Sequence, residues 1–264
     1  MNFFKMVGSG NDFIVIDNRT DAVKDRYSAA ITLCDRKFGI GADGLLLLEH
    51  SPTADIRMRI LNPDGSEAEM CGNGLRCIML FATSNGIVSK NSLTVETGAG
   101  ILKGTVNGAI VKAQLKITDT PKTDILIPLK EKTVQGYFIN SGVPHTVLFT
   151  DDIENIPITK DGPDIRYHPL FQPNGTNVDW ITLTGKNSLK IRTYERGVEA
   201  ETLSCGTGSV AGAITGFLTG KIVPPVKVIA RSGETLTVNF DKDLQDVSLE
   251  GSILTPFKGE WIGL

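Results

Sequence analysis

The 264-residue sequence carries only three histidines and four cysteines. The cysteines, at 34, 71, 77 and 205, are too few and too scattered for a disulfide framework. None forms a Cys-x-x-Cys pair, and with so few histidines a metal site is not expected. Charge of neither sign dominates: the formal net charge is −3, and no basic run offers a nucleic-acid footprint. No apolar stretch approaches the length of a bilayer span. The opening Met1-Asn2-Phe3-Phe4-Lys5-Met6 lacks the charged and apolar regions of a secretory signal. The expectation is a cytoplasmic protein with no membrane or nucleic-acid partner, long enough for one large core or two.

What the chain does have is glycine, 28 residues of it, much of it in turn signals between short apolar runs. One turn stands out. Glu69-Met70-Cys71-Gly72-Asn73-Gly74 precedes an apolar run in which Leu75, Ile78, Met79 and Ala82 recur at helical spacing. The same device returns as Ser204-Cys205-Gly206-Thr207-Gly208, again opening an apolar helix, 134 residues later. A helix N-terminus presents unpartnered backbone N–H groups; it favours a thiolate and binds a carboxylate.

Around these helices the pattern is of short strands. Phe3–Val7 and Phe13–Asp17 flank a turn that contains Asn11, read from its neighbours as a turn former. A helix is expected over 27–37, with Cys34 packed in its core, and a glycine loop at 38–44 that is no phosphate loop because no Gly-Lys-Ser/Thr follows. Asn62 opens a strong turn ahead of Cys71. Asn85-Gly86 stops the first cysteine helix, and Asn107-Gly108 turns a hairpin. The polar stretch Thr118–Asp124, with Pro121, reads as a boundary between halves. The second half repeats the order: strands, an irregular stretch at 156–168 with one short helix near 163–167, more strands, the second cysteine helix closed by Pro224-Pro225, a hairpin at Ser232-Gly233 and a last long strand. The predicted fold class is α+β, with two β-rich lobes each built around one central cysteine-headed helix.

Two thiols at helix N-termini, facing one cavity, would form an acid–base pair on opposite sides of a substrate carbon. One removes a proton and the other delivers one, which inverts the centre with no cofactor. The glycine turns would supply backbone donors where negative charge builds on a carboxylate. Other chemistries compete. A single cysteine turn is commonly inert core, a dithiol redox enzyme would more often show Cys-x-x-Cys, and a cysteine hydrolase would need a partner such as His145. Doubling of the motif favours two-base chemistry. Cys77 reads as core, and His50 and His168 as surface residues.

The residues that carry these turns also resemble a family, the diaminopimelate epimerases. The likeness runs through Lys5-Met6-x-Gly8-x-Gly10-Asn11-Asp12-Phe13, Arg59-Ile60-x-Asn62-x-Asp64-Gly65-Ser66, Cys71-Gly72-Asn73-Gly74-x-Arg76-Cys77, Gly175-Thr176-Asn177-Val178, Tyr194-Glu195-Arg196-Gly197 and Glu201-Thr202-x-x-Cys205-Gly206-Thr207-Gly208. The resemblance implies a cofactor-independent epimerase of LL- and meso-2,6-diaminopimelate, serving lysine and peptidoglycan synthesis. It places the catalytic pair on Cys71 and Cys205 and an assisting pair on His145 and Glu195. It places substrate contacts on Asn11, Asn62, Gly72, Asn73, Asn177, Glu195, Arg196, Gly206 and Thr207, and no metal. Glu195 suits the α-ammonium, and Arg196 with the asparagines suits the distal amino-acid end. The implied fold has two pseudo-symmetric lobes, 1–117 and 118–252, with the strand at about 253–264 returning to the first. A homodimer is common in the family.

Three positions depart from the family pattern. Val143 stands where many members carry asparagine, and Gly44 where glutamine is frequent, which removes two polar groups and implies looser recognition of the distal end. Phe257 replaces a tyrosine linked to dimer contact. Rival readings are a related two-base racemase of broader specificity, including glutamate, and a non-catalytic small-molecule binding protein with inert thiols.

Overall fold

The computed structural model describes residues 1–263 and divides into two compact units, Met1–Gln114 with Glu250–Leu264, and Leu115–Leu249. The divisions lie at 114/115 and 249/250 rather than at 117/118 and 252/253.

The first unit runs β1 (Asn2–Gly8), β2 (Asn11–Asp17), α1 (Arg26–Cys34), β3 (Gly44–Glu49), β4 (Ile56–Leu61), β5 (Glu67–Ala68), α2 (Gly72–Ser84), β6 (Ser92–Thr97), β7 (Gly100–Asn107) and β8 (Ile110–Leu115). β1 and β2 pair antiparallel, β2 and β3 parallel, β3 and β4 antiparallel, β4 and β6 parallel. Each parallel pair needs a crossover, and α1 and α2 supply them. Alternation along β2 and β3 sorts side chains to two cores. Phe13, Val15, Leu46 and Leu48 join the core around α2, whereas Ile14, Ile16, Leu45 and Leu47 pack with Ala30 and Leu33 of α1. A strand covered on both faces reads as a continuous apolar run, and Leu45-Leu46-Leu47-Leu48 is one.

Helix α2 is buried from Gly72 through Ala82, on all sides rather than on one face. Its polar residues Asn73 and Arg76 are therefore inside, and each is hydrogen-bonded. Cys77 is buried within this core, and Cys34 within the one around α1. Asn85 caps the C-terminus and Gly86 takes a positive φ, the stop expected of that pair. The last strand, β17 (Val247–Glu260), pairs antiparallel with β1, Asn2 opposite Glu260, so the chain's end returns to its start. Phe257 lies opposite Lys5 on this strand, half exposed, with its ring edge-on to Phe3.

The second unit runs β9 (Lys122–Pro128), β10 (Thr133–Asn140), β11 (Pro144–Phe149), α3 (Ile158–Arg166), β12 (Asn177–Gly185), β13 (Ser188–Glu195), β14 (Ala200–Thr202), α4 (Gly206–Leu218), β15 (Val226–Ile229) and β16 (Thr235–Asn239). From β10 onward it repeats the first unit step by step. β10 and β11 pair antiparallel, β11 and β12 parallel across α3, β12 and β13 antiparallel, β13 and β15 parallel across α4. Helix α4 is buried from Gly206 through Gly216. It is lined with small residues because strands press on it: a Cβ at Gly212 would stand 3.0 Å from Ile181.

Three expectations change. Lys122–Pro128, partly assigned to the boundary, is a strand pairing with β10, and its polar side chains are exposed. Helix α3 starts at Ile158, five residues earlier than the pattern around Pro163 suggested. Helix α4 runs to Leu218 with Thr219 as its C-cap, which is the end the sequence pattern places near Thr219, but its stop is the positive-φ Gly220 rather than the proline pair.

Candidate active site

Each unit holds one cysteine turn, and in both the cysteine is the helix N-cap. Cys71 takes an extended backbone ahead of α2, and its Sγ accepts from the Gly74 N–H at 3.5 Å. Cys205 does the same ahead of α4, with Gly208 N–H donating at 3.4 Å. The third helical amide is thus turned onto sulfur. The first two, of Gly72 and Asn73 in one unit and of Gly206 and Thr207 in the other, belong to the part of a helix that has no intrahelical acceptor. This is the anion-binding geometry that the glycine turns suggested.

In the first unit, Asn73 Nδ2 donates to Asn11 Oδ1 at 2.6 Å, and Arg76 Nη2 donates to Asn73 Oδ1 at 2.6 Å and to Ser9 Oγ at 2.8 Å. The Arg76 side chain is fully buried, so these bonds keep a charged group inside the unit. Asn11 Nδ2 in turn donates to Asp43 Oδ2 at 3.2 Å. Asn11 is therefore more than a turn former; it joins the β2 edge to the helix end. Beside it, burial pushes the Asp12 carboxyl up, but hydrogen bonds from Arg36 and Lys5 outweigh burial and hold it well below its ordinary value. Asn62 closes the 62–66 turn, its amide donating to Ser66 Oγ at 3.0 Å.

In the second unit, the polar chain is different. Cys205 Sγ lies 3.3 Å from Thr207 Oγ1, and Thr207 Oγ1 lies 2.9 Å from His145 Nε2. His145 Nδ1 lies 2.6 Å from Asp179 Oδ2, and Thr193 Oγ1 donates to Asp179 Oδ1 at 2.7 Å. Register makes this possible. His145 on β11 is opposite Asn177 on the parallel β12, Asp179 is two residues further on the same face, and Thr193 on β13 is its cross-strand partner. His145 and Asp179 are both fully buried. Gly208 is required here for a reason other than its turn: a Cβ would stand 2.5 Å from Asp179 Oδ1.

Asn177 Nδ2 donates to Pro144 O, and its Oδ1 accepts from Arg196 N–H at 2.8 Å, so it ties the His145 strand to the Glu195–Gly197 turn. Arg196 Nη1 donates to Asn174 O. Glu195 ends β13, near enough to Cys205 to raise its pKa. The second unit thus gathers Cys205, Gly206, Thr207, His145, Asn177, Glu195 and Arg196, and the first gathers Cys71, Gly72, Asn73 and Asn11.

One expectation about the thiols reverses. A helix N-terminus was expected to make a thiolate accessible at both cysteines. At Cys205, burial pushes the thiol well above its ordinary value, and the charges of Glu195 and Asp179 push the same way; the Thr207 and Gly208 hydrogen bonds only partly oppose them. Desolvation outweighs the helix end because the sulfur is almost wholly covered. At Gly44, a position where a polar loss is inferred against the family pattern, a Cβ would stand 3.1 Å from Leu61 O and 3.4 Å from the Phe13 ring, so the backbone is closely packed there. Val143 lies half-buried in the loop before β11. His50 is exposed as expected, but His168 is half-buried and caps the 3₁₀ turn at Pro169–Phe171.

Asp179, Thr193, Ser9 and Ser141 were not singled out from the sequence. The signal for Asp179 was present: a lone carboxylate within Val178-Asp179-Trp180-Ile181, where a buried strand should be apolar.

The architecture is shared with solved structures of low sequence identity. A Bacillus anthracis protein of the phenazine biosynthesis PhzF family superposes with a TM-score of 0.73 at 17% identity, covering 99% of both chains. The fold class is therefore that of the PhzF and racemase-like two-unit proteins. Sequence narrows it. The family model for diaminopimelate epimerase matches residues 3–118 and 137–252. The diaminopimelate epimerase of Aquifex aeolicus is 44% identical over 98% of this chain and 97% of its own length, and that of Chlorobaculum tepidum 39% identical over 96% and 98%. The chain belongs to the diaminopimelate epimerase family.

Proposed function

We propose that this protein interconverts LL- and meso-2,6-diaminopimelate without a cofactor, by proton removal and return at one α-carbon. The observation that carries the proposal is the pair of N-cap cysteines on one repeated framework, in a chain of this family. In this mechanism, one of Cys71 and Cys205, as thiolate, takes the α-proton. The other, as thiol, protonates the opposite face. The N-terminal amides of α2 and α4, from Gly72, Asn73, Gly206 and Thr207, receive the carboxylate, whose charge grows as the carbon loses its proton. Glu195 holds the α-ammonium, and His145 assists the acid–base exchange. Arg196, Asn11 and Asn62 receive the distal end, with Asn177 holding the Arg196 turn in place.

The proposed setting is the cytoplasm, where the product would supply lysine and peptidoglycan synthesis. No helix among the described residues is long and apolar enough to cross a membrane. A homodimer is the proposed assembly, with Phe257 on the exposed side of β17 in place of the tyrosine that other members use.

Incubation with LL-diaminopimelate in deuterated water, with no cofactor added, tests the reading. The expected result is meso product carrying deuterium at the α-carbon; unlabelled product, or none, would overturn it. Val143 favours a second activity, slow turnover of a shorter amino acid such as glutamate. Strict inactivity on saturating glutamate would remove that part alone.

A further inference from the structure

The buried Cys205 poses a problem that the helix end does not solve. Its sulfur is almost wholly covered, and the charges of Asp179 on β12 and Glu195 on β13 both disfavour the thiolate. Yet a two-base reaction requires this group to exist as thiolate in one direction of turnover.

The hydrogen-bond directions on the other side of Cys205 are set by chemistry. Asp179 is an acceptor that already receives the Thr193 hydroxyl proton on Oδ1, so its Oδ2, 2.6 Å from His145 Nδ1, takes that nitrogen's proton as a hydrogen bond. Neutral His145 then has only Nε2 as an acceptor, and the Thr207 hydroxyl donates to it at 2.9 Å. Thr207 has one proton to give. Its oxygen is left to accept from the Cys205 thiol at 3.3 Å. Ser141 Oγ donates to Thr207 O and fixes the backbone that carries this hydroxyl.

We propose that Thr207 and His145 form a directional proton relay from Cys205 Sγ, with Asp179 as the positioning residue that sets the imidazole tautomer and stabilises the imidazolium. The S–H bond of Cys205 breaks as an O–H bond forms on Thr207. The proton that Thr207 already held passes to His145 Nε2, forming N–H. The net change is one proton moved from sulfur to imidazole. Thr207 ends as a hydroxyl again, and the Asp179 carboxylate is unchanged. The thiolate then faces a hydroxyl donor, the Gly208 N–H and a cation one residue away, which offsets the carboxylates. The inference rests on the reading of Cys205 as an acid–base group.

The first unit shows why this is more than scaffold. Asn73, Asn11 and Asp43 stand in the same order, helix side chain to strand side chain to carboxylate. Asn73 and Asn11 lie 134 residues before Thr207 and His145, the spacing that separates the two cysteines. An amide passes no proton at neutral pH, so the Asn73–Asn11 pair is not a proton path of the kind that Thr207 and His145 form.

The test is the rate at which iodoacetamide modifies each cysteine, read by peptide mass spectrometry at neutral pH, together with kcat and KM. Thr207→Val and Asp179→Asn are each expected to slow Cys205 modification at least about tenfold and to lower kcat about a hundredfold, while KM and Cys71 modification stay within about twofold. Thr207→Ser, which keeps the hydroxyl, is expected to restore both rates to within about threefold. A Cys205 rate within about twofold of wild type in both variants, or Thr207→Ser no faster than Thr207→Val, would overturn the relay. If Asp179→Asn unfolds, the Thr207 pair decides alone. Failure of the wild type to epimerise diaminopimelate would instead fall on the parent reading, because the modification rates decide the relay without turnover.

Discussion

The two cysteine turns share backbone geometry and differ in what stands behind them. Cys71 is half exposed, and the side chains behind it are amides and a buried arginine. Cys205 is almost covered, and behind it are a hydroxyl, an imidazole and a carboxylate, all inside the unit. The carboxylates differ as well. Asp43 is exposed and paired to Arg36, whereas Asp179 is fully buried and bonded to His145 and Thr193. One framework thus offers its two thiols different surroundings: a partly exposed one backed by amides, and a buried one backed by a hydroxyl, an imidazole and a carboxylate. Local geometry supplies the cysteine; the neighbours decide its acidity.

Removing either sulfur is the largest test of that comparison. Cys71→Ala and Cys205→Ala should each cost at least about a thousandfold in kcat, because inversion needs a group on both faces. Near-normal turnover in either variant would mean that the turns are not equivalent halves of one mechanism. His145→Asn gives the second unit the amide of the first. It should lower kcat by about a hundredfold or more, with KM within about threefold, measured by steady-state kinetics.

The helix glycines offer a stability comparison at matched positions. A methyl on Gly208 meets Asp179 Oδ1 at 2.5 Å, and one on Gly74 meets the end of the Leu46 side chain at 3.0 Å. Gly208→Ala should therefore destabilise by about 1–3 kcal/mol, and Gly74→Ala by less, since Ala gains about 1 kcal/mol of helix propensity and Leu46 can turn aside. Denaturant unfolding reads both; equal losses would contradict the packing argument.

The smallest expected effect is on pH dependence. Asp12 has a depressed carboxyl, so its stabilisation is present above the unfolded value near 4 and is lost as pH falls below it. Cys205 is raised, so the folded state keeps its proton where the unfolded chain releases one, and stability falls as pH rises past about 8.5. Asp12→Asn should flatten the acid limb of the unfolding curve and Cys205→Ser the alkaline limb. The reverse assignment would contradict the stated causes.

Much of this framework was legible beforehand. Helices α2 and α4 were readable because an N-cap, a small-residue turn and an apolar run are all local signals. Asn85-Gly86 and Asn107-Gly108 were readable for the same reason. Strand β9 was not, because its exposed polar start, Lys122-Thr123-Asp124, follows Pro121 and matches a linker, and only its pairing with β10 shows it to be a strand. Asn11 carried only a turn signal, since its partner Asn73 lies 62 residues away.

By itself the sequence determined that two cysteines would cap two apolar helices, and that the turns beside them would leave amides free for an anion. These follow from residues within one or two turns of each other. Only the tertiary structure decided which side chains meet. The parallel register of β11 and β12 brings Asp179 to His145, and burial of α4 brings both to Thr207. It also decided the sign of the Cys205 shift, because desolvation depends on everything packed around the sulfur, and no local pattern encodes that.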